Sequence, residues 1–228
     1  MVRRDYILRM IEQLGVAWAA LVKIAGLRAN GQYEQVKLLL DQVLRQHLGF
    51  GGDTPGRLSA DELIALVRLG QTASVDEAVI TERLLLLGAI LRERAELSLA
   101  QGHPDEAADF AAKGLRIDLT VLVEEEQDDE RARTALAPLL GLLADYEVPG
   151  ALKEQLWLFH ERRGEFADAE DWLFALLEDE PALLPEGVAF YERLAALPDE
   201  ALRRGDLPRD EVVAALAELR ARGERAGD

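Results

Sequence analysis

The chain has 228 residues, 49% of them hydrophobic and 30% charged, with no cysteine and a formal net charge of −17. Such a chain can bury a sizeable core, and the missing cysteines exclude disulfides and thiolate metal sites. The excess of 43 acidic over 26 basic residues repels phosphate backbones and anionic lipid, so neither nucleic acid nor a membrane surface is an expected partner. No targeting segment and no bilayer-spanning run is read, which makes the cytoplasm the expected location.

Residues 5–29 predict the first helix. Ile7, Ile11, Leu14, Trp18, Leu21 and Ala25 recur at spacings of four and three, and Met10, Ala17 and Ile24 widen the stripe. The stripe predicts a core helix. It also supports a second expectation, a homodimer seam through Ile7, Ile11, Leu14, Trp18 and Leu21. Asn30-Gly31 stops the helix, because both residues tolerate the left-handed conformation that ends one. A second helix is predicted at 33–47, then an open, glycine-rich linker at 48–58. The Gly49-Phe50-Gly51 stretch lacks the preceding strand and following Gly-Lys-Ser/Thr of a phosphate loop.

Ser59–Glu62 and Ser74–Glu77 both have the capping-box spacing. They predict helices at about 60–69 and 75–101. The second is apolar nearly all round at Leu84–Leu91 and should lie near the centre, with Gly88 permitting a close crossing. Gly102-His103-Pro104 breaks the chain, and Pro104 suits the first turn of a helix over 104–123. The acidic run 124–130 reads as a solvated helix end rather than a hard-cation loop, since it lacks the glycine turn of one. Pro138 should kink or split a helix over 129–146. Helices at about 185–196, 199–204 and 208–222 close the chain. The last has Val212, Val213, Leu216 and Leu219 as its buried stripe and a frayed end from Gly223. The sum is an all-α protein of nine or ten helices, read as one domain over 1–228.

The most regular stretch is 149–181, two helices reversed at Arg163–Phe166. Its turn pattern recurs. Gly31, Gly102 and Gly164 are each followed two places on by a ring (Tyr33, Pro104, Phe166), and three further by a small apolar residue (Val36, Ala107, Ala169). Glycine lets the chain reverse, the ring covers the turn, and the small residue lets two helices approach closely.

This pattern resembles the tetratricopeptide repeat, a helix–turn–helix unit of about 34 residues. The match is best at 149–181, where Leu156, Ala169, Leu173 and Pro181 fall on signature positions. It is weaker at 5–47 and 75–123. Lys153, Trp157 and His160 replace the signature tryptophan, glycine and tyrosine. The resemblance implies hairpins stacked as a right-handed superhelix or a compact array, and a protein or peptide bound on the first helix of each pair. On that face stand Glu154, Leu158, Glu161 and Arg162. Family members that clamp a terminal carboxylate use Lys and Asn where Glu154 and Leu158 stand here, so that mode is expected to be absent. The opening residues 3–15, RRDYILRMIEQLG, also resemble the start of an uncharacterised bacterial family of similar length.

No metalloprotease, nucleophile-elbow or phosphate-loop motif is present. Of the three histidines, His47 and His103 sit at a helix end and a turn. His160, with Asp168 and Glu170 beyond the turn, is the best candidate for a small-ligand or enzymatic pocket. Trp18, Trp157 and Trp172 lie on apolar stripes and read as core. The leading expectation is a non-enzymatic scaffold for a protein or peptide partner, without metal or cofactor. The alternatives are the homodimer and the His160 pocket.

Overall fold

The computed structural model of the chain describes residues 2–69 and 77–227, with side chains described over 14–69 and 77–225. Among the described residues every regular element is helical, and there are twelve α-helices. The chain divides into two compact units, Met1–Glu147 and Val148–Asp228, where the sequence reading had one domain.

The first unit holds α1 (Val2–Ala29), α2 (Tyr33–Val43), α3 (Thr54–Arg57), α4 (Ala60–Leu69), α5 (Glu77–Ala100), α6 (Pro104–Leu119) and α7 (Glu130–Leu142). Helix α5 is its axis and packs against α1, α2, α4, α6 and α7. Every residue from Leu84 to Leu91 is buried, as an all-round apolar helix requires. Gly88 lets α5 and α6 approach, since a Cβ there would stand 2.4 Å from Asp118 Oδ1 on α6. Gly31 and Gly102 both take the left-handed conformation expected of the repeated turn.

The expected linker 48–58 contains the short α3, whose Pro55 is buried. Helices α2 and α6 each end in a π-turn, at Leu44–Leu48 and Thr120–Glu124. The first capping box forms as predicted: the Ser59 backbone N–H donates to Glu62 Oε2 at 2.8 Å, and the Glu62 N–H donates to Ser59 Oγ at 3.3 Å. The second, from Ser74, lies outside the described residues. Helix α7 runs unbroken through Pro138, so of the kink or split expected there the split does not occur. Only one backbone bond is forfeited, and Asp129 compensates at the start by accepting from the N–H groups of Arg131 and Ala132.

The second unit holds α8 (Gly150–Arg163), α9 (Phe166–Asp179), α10 (Leu184–Ala195), α11 (Asp199–Arg204) and α12 (Arg209–Gly227). The chain reverses between α8 and α9 at Gly164, with φ of 72°. Leu156, Ala169 and Leu173 are fully buried. Trp157 meets Phe190 edge-on at 6.0 Å between ring centroids. The turn is pinned by the Ala167 N–H, which donates to the Gly205 carbonyl at 2.9 Å. On α12, Val212 and Leu219 are buried and Leu216 is half-buried, but Val213 is 55% exposed. The stripe is therefore narrower than expected, because Val213 lies about 100° round the helix from Val212. Helix α12 also continues to Gly227, past the predicted fraying point.

Candidate functional site

The expected partner-binding residues of α8 take different roles. Glu154 and Arg162 are exposed. Leu158 is half-buried and leans on the core of the second unit. Glu161 accepts two bonds of 2.8 Å from the Arg193 guanidinium on α10, which raises the Arg193 pKa chiefly through that contact. Lys153 is buried and pairs with Asp179 on α9.

His160 Nδ1 lies 2.8 Å from Glu165 Oε2 and 3.9 Å from Asp168 Oδ2. These three offer ligand atoms within 4.8 Å of one another, a spacing able to hold a metal ion. Glu165, which the sequence reading did not include, takes the place expected of Glu170. It also accepts from Arg163 Nε at 2.8 Å. Burial works to raise the Glu165 pKa, but Arg163 and His160 outweigh it and hold the carboxyl below its ordinary range. Glu170 instead accepts from the Tyr191 hydroxyl at 2.5 Å. The three groups sit together at the α8–α9 turn.

On α1, Leu14 and Leu21 are buried in their own unit. Trp18 is half-buried beneath the Arg131 guanidinium, 4.9 Å from its ring centroid. Arg131 in turn bonds Glu82 and Asp129. The Ile7 and Ile11 side chains lie outside the described residues. The outward face of α1 carries other apolar groups: Val16 is 67% and Val22 is 78% exposed, with exposed Ala19 between them.

A pocket of about 400 Å³ opens where α2, the segment before α3, and α5 meet. Its lining includes Lys37, Asp41, Arg45, Gly52 and Arg94. The half-buried Arg94 lies over the Phe110 ring at 5.6 Å. Its Nε is buried without a hydrogen-bond partner, and so is Asp41 Oδ1. No ion pair to Arg94 is found among the described residues. Burial pushes the Arg94 pKa down, against the attraction of Asp41, Asp53 and Glu106. The other Asp41 oxygen meets Arg45 at 2.9 Å. A Cβ at Gly52 would stand 2.2 Å from Asp41 Oδ1 and push that carboxylate aside. The sequence reading missed this site. The available signal was Arg94 itself, on the otherwise uncharged Leu87, Leu91, Arg94, Ser98 face of α5.

A smaller cavity of about 20 Å³, room for one water, is lined by Trp18, Arg92, Asp118 and Arg131 among others. Asp118 is buried, and its Oδ2 has no hydrogen-bond partner. Burial pushes its carboxyl well above the usual carboxylate range, with Arg92 opposing and Asp129 adding to the shift. The acidic run 124–130 is largely taken up by the fold: Glu124 pairs with Arg116, Glu125 with Arg68 and Thr81, Asp128 with Arg133, and Asp129 caps α7.

The model of a family of unknown function (DUF6483) matches residues 1–224. The chain belongs to that family. This agrees with the likeness of residues 3–15 to an uncharacterised family. No curated protein and no solved structure matches the chain. Among the described residues no helix is long and apolar enough to cross a membrane.

Proposed function

We propose that this chain is a non-catalytic helical scaffold that holds a protein or peptide partner, with its hairpins stacked in the manner of tetratricopeptide repeats. The observation that carries the reading is the outward face of α1. Val16, Ala19 and Val22 form an exposed apolar strip on a chain of net charge −17, and contiguous apolar surface of that kind marks contact sites. The hairpin α8–α9 supports the stacking. Its turn glycine is left-handed, and Leu156, Ala169 and Leu173, which the resemblance assigns to packing positions, are buried. Glu154 and Arg162 give α8 a polar contact surface of its own.

Self-association is the second reading. Leu14 and Leu21 are spent on the chain's own core, so a homodimer seam on α1 uses Val16, Ala19 and Val22 instead. Co-purification from the native cells tests both readings, comparing the wild-type chain with Val16→Glu and Val22→Glu. A partner retained by the wild type and lost from both folded variants supports the scaffold. A second copy of the chain retained and lost in the same way supports the dimer. Equal recovery from wild type and variants contradicts both.

A further inference from the structure

Two side chains that line the pocket beside α2 each carry a buried polar atom, and the two atoms have opposite demand. Arg94 Nε is a buried donor without an acceptor, and Asp41 Oδ1 is a buried acceptor without a donor. Leaving either unmade costs the full desolvation of that group. Protein atoms do not satisfy them, and both side chains line one cavity. The remaining lining follows the same balance. Lys37, Arg45 and Arg94 face Glu34, Asp41 and Asp53, three cations against three acids.

That balance selects the ligand. A phosphate or other multiply charged anion would meet Arg94 but also the unpartnered Asp41 oxygen, beside Glu34 and Asp53, on a chain of net charge −17. A simple amine would satisfy Asp41 and leave Arg94 bare. A molecule with a carboxylate for the planar guanidinium fork and an ammonium for Asp41 satisfies both and brings no net charge. The volume of about 400 Å³ lies in the range of small-molecule sites. The exposed Leu38 side chain at the rim supplies apolar contact for a side chain. We propose that this pocket binds a small zwitterion of the α-amino-acid class, with its carboxylate on Arg94 and its ammonium on Asp41. The site is separate from the α1 face, and a partner bound there is neither required nor excluded by it.

The test is a thermal-shift and calorimetric screen of the full chain against the free α-amino acids at up to millimolar concentration. Four controls accompany it: acetate, methylammonium, inorganic phosphate and N-acetylated amino acids. At least one free amino acid is expected to bind. The N-acetyl form, which keeps the carboxylate and loses the ammonium, is expected to bind at least about tenfold more weakly, as are Asp41→Asn and Arg94→Gln with the free amino acid. The ligand-free variants are checked for an unchanged helical circular dichroism spectrum. Should one fail to fold, Gly52→Ala serves instead, since it displaces the Asp41 carboxylate without touching Arg94. The proposal is overturned by no binding from the amino-acid set. Equal binding of the N-acetyl form, tighter binding of phosphate, or unchanged affinity in the folded variants would overturn it too.

Discussion

Gly88 on α5 and Asp118 on α6 meet where the two helices cross, and the Asp118 carboxylate occupies the space that a side chain at 88 would need. The crossing buries an ionisable group because a glycine makes room for it. Gly88→Ala is therefore expected to destabilise the first unit by about 1–3 kcal/mol through overpacking, read from urea unfolding. An unchanged midpoint would show that α5 and α6 separate at no cost.

Asp118 opposes folding near neutral pH. Burial raises its folded pKa well above the unfolded value. Its favourable contribution is thus complete only below the ordinary carboxylate range, and is lost as pH rises through the raised value. Asp118→Asn keeps the shape and removes the charge. It is expected to melt above the wild type at pH 7, with the difference closing as pH approaches about 4. A lower melting temperature at pH 7 would mean that attraction to Arg92 outweighs burial.

Asp129 has the opposite sign. Its bonds with Arg131 hold its pKa below the usual value, with the α7 N–H groups helping and partial burial opposing. Its contribution is present above about pH 4 and is lost as pH falls through the lowered folded value. Asp129→Ala is expected to cost about 1 kcal/mol at neutral pH, and less in acid. A pH-independent loss would assign the effect to packing alone.

The α8–α9 turn supplies a graded pair. Gly164 has φ of 72°, so Gly164→Ala is expected to cost about 1–2 kcal/mol of backbone strain. Gly205→Ala should cost more, because its Cβ would strike both the Gly164 carbonyl oxygen and the Phe166 ring. Chemical denaturation of the two variants checks the order, and a reversed order would contradict the docking of this turn on Gly205.

Local chemistry explains what the sequence made legible. The reversals at Gly31, Gly102 and Gly164, the Ser59 capping box and the burial of Leu84–Leu91 each depend on residues close in the chain. The missed features depend on distant ones. Arg94 sits in a charged stretch, Leu91–Glu96, that looks like a solvated face until α2 and the segment before α3 close over it. The α1 stripe was legible as core, and Leu14, Ala17, Leu21 and Ile24 are buried as it predicts, whereas the exposure of Val16 and Val22 depends on what α1 packs against. Glu165 displaced Glu170 at His160 because the tight turn at Gly164 points it back along α8, while Tyr191 draws Glu170 away.

The claim that the chain holds a protein partner rests on the outward face of α1, so the most direct measurement is made there. A photo-cross-linking residue placed at Val22 in the full chain, within its native cells, is expected to give a discrete adduct with one other protein. The Val16→Glu change should abolish the adduct, and a cross-linker at the exposed Glu178 of α9 should not reproduce it. No adduct at Val22, or the same adducts at Glu178, would contradict the scaffold reading.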